Sequence, residues 1–324
     1  MALSSPSDPD YIHNVGRDDA PSDGIRLIPV FAPGGPYRVW TKRTGNNPTI
    51  KVLLLHGGPG ATHEYLECFD GYLRAAGVEF YYYDQLGSGY SDKPEDLSYI
   101  NLPHFVEEVE QVRQALSLGP DNFYLYGHSW GGWLGVEYAL KYQQHLKGLI
   151  LSNSMASSPA YNAYAHHVLM PEIDPEALAE IKALESAGDY ANPRFMELLI
   201  AEHYVNHILR MPPDKWPEPV TRSFDKLNQD IYVSMQGPSE LGLSGQLADW
   251  DRTTEIHTIQ TPTLVIASRY DTMDPAHLEW MARELPNGRY HFCPNGSHMC
   301  MYDDTEAYFQ GLIDFLYAVD DGQG

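Results

Sequence analysis

Cysteine, positive charge and long apolar runs are all scarce in this sequence of 324 residues. Its three cysteines are too few and too scattered for a disulfide framework or a zinc site. No apolar run reaches the roughly 18 residues that indicate a membrane-spanning helix, which argues against a membrane partner. Lysine and arginine number 21 against 44 acidic residues, and the net charge of −23 argues against nucleic-acid binding.

The N-terminal segment is polar and acidic, and it lacks the basic start and apolar stretch of a secretory signal. Together with the few cysteines, this favours a reducing, cytoplasmic location. Residues 1–24 are predicted to be a loosely ordered lead-in, whereas the 43% hydrophobic content of the chain suffices for a substantial core. The acidity either serves solubility or attracts cationic substrates, and composition does not choose between the two.

Strand and helix patterns alternate through most of the chain, which predicts a parallel sheet with helices on both faces. Apolar runs predict strands at 26–32, 37–42, 50–55, 78–84, 122–126, 147–152, 262–267 and 289–293. Helical spacing of apolar residues predicts helices at 103–118, 130–142, 275–284 and 304–318.

The segment 155–250 interrupts this alternation. It is rich in Met, Tyr, His and Pro and contains no strong buried strand, so we expect it to form a mainly helical cap. The predicted domain organisation is a first core part at 1–154, the cap at 155–250 and a second core part at 251–324.

A nucleophile motif lies at a predicted junction of strand and helix. Gly127-His128-Ser129-Trp130-Gly131 matches the pattern G-x-S-x-G, whose tight turn presents a serine above the sheet. Glycine is required at both ends, because a side chain there would collide with neighbouring backbone. Ser129 is therefore the candidate nucleophile, and His128 is interpreted as structural because neighbours on this turn point in different directions.

A serine hydroxyl becomes a good nucleophile only when a base takes its proton. In folds with this motif the chain order is Ser, then Asp or Glu, then His. His298 follows the last predicted strand within the loop-forming sequence Asn-Gly-Ser-His, and it is the candidate base. Asp271 follows the strand at 262–267 and can orient His298 and stabilise its imidazolium form. Asp274 is the alternative acid, although its place before Pro275 suits a helix N-cap.

Two backbone N–H groups are expected to stabilise the oxyanion that forms when the serine attacks. Trp130 N–H, directly after the nucleophile, is one candidate. The second is Gly58, with Gly57 as its alternative, since both lie in the glycine-rich loop after the strand at 50–55. Neither a phosphate-binding G-x-x-x-x-G-K segment nor an H-E-x-x-H motif occurs, so we expect no cofactor and no metal.

These residues resemble the prolyl iminopeptidases and the tricorn-interacting aminopeptidase over roughly residues 25–318. The resemblance rests on HGGPG (56–60), YDQLGSG (83–89), GHSWGG (127–132), QGPSE (236–240) and ADWD (248–251). It implies the α/β-hydrolase fold, with a mostly parallel central sheet flanked by helices and an inserted, mainly helical cap. It also implies cleavage of the N-terminal residue, often proline, from short peptides by a serine triad without a metal.

In this family, acidic side chains of the cap bind the free amino group of the substrate. Glu240 matches the glutamate of the family's G-P-x-E segment, and Glu202 resembles a second such glutamate. Some members carry a further glutamate directly after the triad aspartate, where this sequence has Thr272, so one anionic contact of those members is absent here. The resemblance therefore implies a small peptide or amino-acid derivative with a free amino group, bound by Glu240 and Glu202.

The expected function is that of a serine aminopeptidase, which releases proline or another small or apolar residue through an acyl-enzyme. An amidase or esterase acting on amino-acid amides or esters would use the same residues and stays the alternative. Dehalogenases and epoxide hydrolases share the fold but use an aspartate nucleophile, so Ser129 argues against them. A non-catalytic binding protein is hard to reconcile with a complete set of catalytic residue types.

Overall fold

An eight-stranded sheet forms the centre of the computed structural model, which describes residues 17–19 and 22–323. Its strands are β1 (Ile25–Ala32), β2 (Gly35–Thr44), β3 (Lys51–Leu55), β4 (Glu79–Asp84), β5 (Phe123–His128), β6 (Gly148–Ser152), β7 (Thr263–Ser268) and β8 (Gly288–Cys293). They are ordered β1-β2-β4-β3-β5-β6-β7-β8, and β2 pairs antiparallel with both β1 and β4. All pairs from β4 to β8 are parallel, which confirms the predicted fold class. The lead-in predicted at 1–24 lies mostly outside the described residues.

Helices connect the strands and cover both faces of the sheet. They are α1 (Phe69–Leu73), α2 (Leu102–Ala115), α3 (Trp130–Tyr142), α4 (Ser158–Tyr164), α5 (Pro175–Ala187), α6 (Pro193–Leu199), α7 (Val205–His207), α8 (Glu218–Asp225), α9 (Gln229–Met235), α10 (Pro275–Glu284), α11 (Cys300–Asp303) and α12 (Thr305–Asp320). The helix predicted at 103–118 ends earlier, at Ala115, because Ser117 has a φ of 55° and cannot continue it.

Side chains of the central strands alternate between two hydrophobic cores, one on each face of the sheet. In β3, Leu53 and Leu55 enter the core that also holds side chains of α2, α3 and α10. Val52 and Leu54 enter the opposite core, which α1 and α12 complete. Because β3 is buried on both faces, its sequence is a continuous apolar run, as expected for a central parallel strand.

The chain between β6 and β7 is described throughout, and it forms α4 to α9 without adding a strand to the sheet. A short antiparallel bridge between Ser157 and Asp251 holds the two ends of this stretch together. The bridge lies beside the boundaries expected at 155 and 250, and the division into core and cap remains a prediction. The segment 155–250 is called the cap segment below.

Within residues 17–19 and 22–323, no helix combines the length and apolarity needed to cross a membrane. The same residues contain no cluster of three or more His, Cys, Asp or Glu side chains suited to a metal ion. Cys68, Cys293 and Cys300 are free thiols.

Candidate active site

Ser129 occupies the sharp turn between β5 and α3. Its backbone has φ 57° and ψ −126°, a conformation that residues other than glycine rarely adopt. A Cβ on Gly127 would lie 2.1 Å from the carbonyl oxygen of Gly131, and one on Gly131 would lie 2.3 Å from that of Leu55. Both glycines are therefore needed, and the turn places Ser129 at the start of a helix, where the N–H dipoles favour negative charge.

His298 and Asp271 form a buried hydrogen-bonded pair in which Nδ1 lies 2.7 Å from Oδ1. Because an ionised carboxylate only accepts hydrogen bonds, Nδ1 carries the proton and Nε2 remains available as a base. Burial lowers the pKa of His298, but the Asp271 carboxylate together with the charges of Glu240 and Asp303 outweighs burial, and the net pKa is raised above the usual value. Ser129 and His298 line one cavity, so the structure brings the predicted nucleophile and base together.

Asp271 is held by neighbours that the sequence did not indicate. Its second carboxylate oxygen accepts a hydrogen bond of 2.7 Å from Asn153 Nδ2, and Thr272 Oγ1 lies 3.4 Å from the first. The alternative acid, Asp274, instead caps α10 and accepts a 2.9 Å bond from the Ala276 amide. No motif marks Asn153, which follows β6 and meets Asp271 only because β6 and β7 are adjacent in the sheet.

The two predicted oxyanion donors lie in the HGGPG loop (56–60) and at the first residue of α3. Gly58 lines the cavity and has a φ of 108°, which favours glycine. The N–H group of Gly57, its alternative, already donates to Tyr65 Oη at 2.7 Å. Trp130 begins α3, so its amide lacks a partner within the helix. The geometry therefore favours Gly58 over Gly57.

The cavity lies between the HGGPG loop, the Ser129 turn and the cap segment. The cap segment supplies most of its wall, and the majority of these side chains are apolar. The apolar and aromatic side chains include Tyr190, Phe195, Met196, Tyr204, Ile208, Val220, Phe224 and Leu227. A largely apolar enclosure with few polar groups is typical of sites for small ligands.

Glu240 is the one carboxylate among the described residues that line this cavity. Tyr232 Oη donates to its Oε1 at 2.6 Å, and Tyr161 Oη lies 3.3 Å from its Oε2. Burial and the nearby Glu240 charge both raise the pKa of Tyr232 well above its usual value, so this hydroxyl stays protonated and donates. Tyr161 Oη also donates to the backbone carbonyl oxygen of Glu240 at 2.7 Å, so Tyr161 holds the main chain while Tyr232 holds this half-buried carboxylate in the same cavity as Ser129.

The structure does not bring Glu202 to this site. Its carboxylate lies 3.4 Å from the backbone amide of Asp174, and it is not among the residues that line the cavity. Thr272 also stays outside the cavity wall, because its buried side chain turns to the dyad and places Oγ1 3.4 Å from His298 Nδ1. The replacement of glutamate by threonine at this position therefore changes the surroundings of the dyad.

The cap segment also contacts the loop that carries the base. The carbonyl oxygen of His207 accepts a 2.9 Å hydrogen bond from the amide of His298, and that of Ile208 accepts one of 2.8 Å from Met299. The imidazole Nδ1 of His207 lies 3.0 Å from the carbonyl oxygen of Tyr270, which precedes Asp271. The cap segment therefore holds the loops of both dyad residues. No motif in the sequence distinguishes the buried His207 from the other histidines.

Comparisons with known proteins show the family and the fold of this chain. The family described as alpha/beta hydrolase fold matches residues 51–305. The chain is 52% identical to the proline iminopeptidase of Flavobacterium johnsoniae over 295 residues, which cover 91% of this chain and 99% of that protein. It is 53% identical to the proline iminopeptidase of Elizabethkingia meningoseptica over 296 residues, with coverage of 91% and 98%.

A solved structure of proline iminopeptidase from Mycobacterium smegmatis is similar as well. It has a TM-score of 0.79 and 26% sequence identity, and the match covers 93% of this chain and 100% of that chain. The sequence identities extend over nearly the whole length of the relatives, and they confirm the resemblance noted from the motifs. The chain therefore belongs to the proline iminopeptidase family and is an enzyme of the α/β-hydrolase fold.

Proposed function

We propose that this enzyme removes the N-terminal residue, proline or another small or apolar residue, from short peptides through an acyl-enzyme on Ser129. The observation that carries the proposal is Glu240, a carboxylate in the same cavity as Ser129 and His298. A half-buried carboxylate loses the rest of its water when a substrate covers it, which is costly unless a cation pairs with it, and the free amino group of a substrate is such a cation. The relatives that are named proline iminopeptidases support the same substrate class.

In the first half of the reaction, His298 Nε2 takes the proton of Ser129 Oγ while Oγ attacks the carbonyl carbon of the N-terminal residue. Asp271 holds the proton on Nδ1 and stabilises the imidazolium that forms. The N–H groups of Gly58 and Trp130 stabilise the oxyanion. When the tetrahedral intermediate collapses, the imidazolium gives its proton to the leaving amine, and the acyl group stays on Ser129.

In the second half, a water molecule takes the place of the departed amine. His298 removes a proton from this water, whose oxygen attacks the acyl carbon and forms a second oxyanion at the same N–H groups. Collapse returns the proton to Ser129 Oγ and releases the free amino acid. The same residues serve both halves, so no further group is required.

Glu240 selects for a substrate with a free amino or imino group. The Tyr232 hydroxyl holds the carboxylate and the Tyr161 hydroxyl holds the main chain of Glu240, so little side-chain freedom is lost when the cation binds. An N-acetylated substrate would carry no cation and would leave the Glu240 charge desolvated without a cationic partner. That penalty is about 1–3 kcal/mol, which corresponds to roughly 5-fold to 150-fold discrimination.

The test compares kcat/KM for proline anilide with that for its N-acetyl derivative. We expect the wild-type enzyme to prefer the anilide with the free secondary amine by at least about tenfold, and we expect Glu240→Gln to lose most of that preference. Simple acyl esters should still be cleaved by Glu240→Gln, because the residues that do the chemistry are untouched. Glu202→Gln is the matched control: it removes a carboxylate from the same segment without touching the cavity and should keep the wild-type preference.

Equal rates of the wild-type enzyme on free and acetylated anilides would reject the aminopeptidase proposal. That result would favour the amidase or esterase alternative, since these reactions need the nucleophile and base but no cationic substrate. A loss of preference in Glu202→Gln as well would show that discrimination comes from the overall acidity and not from Glu240.

We also propose a cytoplasmic location and no nucleic-acid or membrane partner. The free thiols of Cys68, Cys293 and Cys300 fit a reducing compartment, where disulfides are rare. The net charge of −23 disfavours binding to phosphate-rich partners. Cell fractionation with detection of the protein in the supernatant would test the location.

A further inference from the structure

A chain of hydrogen bonds connects the HGGPG loop to the backbone of His298. The Gly57 amide donates to Tyr65 Oη at 2.7 Å, and Tyr65 Oη lies 3.0 Å from His128 Nδ1. His128 Nε2 lies 2.8 Å from the carbonyl oxygen of His298. His128 is adjacent to Ser129, so these bonds join the segments of the oxyanion donor, the nucleophile and the base.

The direction of every bond in this chain is determined by its partners. The carbonyl of His298 only accepts, so His128 Nε2 must carry a proton. Burial lowers the pKa of His128 well below its usual value, so the ring is neutral and Nδ1 is an acceptor. Tyr65 must then donate its hydroxyl proton to Nδ1 and accept the Gly57 N–H with its oxygen. Burial also raises the pKa of Tyr65, which keeps that proton in place.

We propose that Tyr65 and His128 are positioning residues, which hold the HGGPG loop and the base His298 in the correct positions relative to Ser129. The proposal rests on the roles proposed above for Ser129, His298 and Gly58. Tyr65 occupies the Gly57 amide, which leaves the next amide, that of Gly58, as the loop's donor to the cavity. His128 anchors the main chain of His298 from one side, while His207 of the cap segment anchors it from the other.

Because each donor and acceptor in this chain of hydrogen bonds has a partner, the loss of one hydroxyl group affects the bonds on both sides of it. All three side chains are buried, with Tyr65 3%, His128 1% and His298 4% exposed, so water does not readily replace a missing bond. Without the Tyr65 hydroxyl, the Gly57 amide and His128 Nδ1 would both be left without a partner. The loop can relieve this only by turning its amides, which moves the Gly58 amide away from the developing oxyanion.

The experiment compares Tyr65→Phe with the control variant Tyr138→Phe. Tyr138 is also buried and lies in α3, but its hydroxyl donates to Glu110 Oε2 at 2.8 Å, outside the hydrogen bonds of the HGGPG loop, Asp271 and His298. Two ligands report on the site. Prolyl boronic acid accepts the electron pair of Ser129 Oγ at boron while the Oγ proton passes to His298 Nε2, which forms a tetrahedral adduct. L-Proline, the product, binds without forming a bond.

We expect Tyr65→Phe to weaken the boronic acid and to lower kcat by about tenfold or more, because an oxyanion donor is displaced. KM and the inhibition constant of L-proline should change by less than about twofold in this variant, since ground-state contacts are kept. Tyr138→Phe should lower thermal stability without changing kcat or boronic acid affinity. His128→Asn breaks the chain at its other link and should repeat the effect of Tyr65→Phe, which decides the question if Tyr65→Phe does not fold.

Equal boronic acid affinity in Tyr65→Phe, His128→Asn and the wild type would overturn the positioning role. Equal weakening in Tyr65→Phe and Tyr138→Phe would overturn it too, because general loosening of the core would then suffice. If the wild-type enzyme itself fails to bind prolyl boronic acid, the proposed function is at fault and not the positioning chain.

Discussion

Replacing Asp271 by asparagine is expected to lower kcat/KM for proline anilide by about 10⁴-fold, because His298 then adopts the tautomer that carries its proton on Nε2. The reason lies in Asn153, whose Nδ2 donates to Asp271 Oδ2 at 2.7 Å while His298 Nδ1 donates to Oδ1. An asparagine side chain at 271 has one acceptor for these two donors. Asn153 cannot easily reverse its amide, because its Nδ2 also lies 3.4 Å from the carbonyl oxygen of Ser297, which can only accept a hydrogen bond.

The new amide is therefore expected to turn its oxygen to Asn153 and its NH₂ group to His298. Nδ1 then becomes an acceptor, the proton moves to Nε2, and the base cannot take the proton of Ser129. The opposite orientation would bring two N–H donors about 2.7 Å apart and cost about 2 kcal/mol, roughly a 30-fold loss. Loss of the charge that stabilises the imidazolium accounts for the remaining about 3.5 kcal/mol of the about 5.5 kcal/mol that a 10⁴-fold loss represents.

The assay measures kcat/KM for proline anilide in Asp271→Asn with and without Asn153→Gly, and glycine is chosen because Asn153 has a φ of 52°. Removing Asn153 takes away the donor that forces the wrong orientation. It should raise the activity of Asp271→Asn by about tenfold or more, although it should lower that of the wild type. Thermal unfolding controls for loss of fold. An Asp271→Asn enzyme within tenfold of the wild type, or one unaffected by Asn153→Gly, would refute the reasoning.

Two further outcomes are expected. The kcat/KM of the wild-type enzyme should rise with pH as His298 loses its proton. The apparent pKa of this rise should be higher than the pKa of an ordinary histidine, because the carboxylate of Asp271 contributes to raising the pKa of His298. A profile that stays flat from acid to neutral pH would contradict this assignment. Ser129→Ala should lower kcat by at least about 10⁴-fold and abolish labelling by an organophosphonate, whereas a comparably active Ser129→Ala protein would exclude Ser129 as the nucleophile.

The elements of the fold follow from local patterns that a sequence displays directly. Continuous apolar runs such as 50–55 predict buried parallel strands because both faces of a central strand are covered, and the structure has β3 there. Gly127 and Gly131 mark the Ser129 turn because no other residue type fits where the backbones nearly touch. Asp271 and His298 are predicted from the chain order Ser, Asp, His and from their places in the loops after two predicted strands.

The sequence by itself therefore determined the α/β fold, the turn that presents Ser129 and the candidate dyad. Only the tertiary structure decided which donors and carboxylates face the cavity, because these depend on contacts between segments far apart in the chain. The Gly57 amide donates to Tyr65, which favours the Gly58 amide as the oxyanion donor. Glu240 lines the cavity, whereas the carboxylate of Glu202 lies near the Asp174 amide. A pattern of residue types predicts burial and turns. It does not predict which of two nearby carboxylates or amides forms a hydrogen bond with a segment that is distant in the sequence.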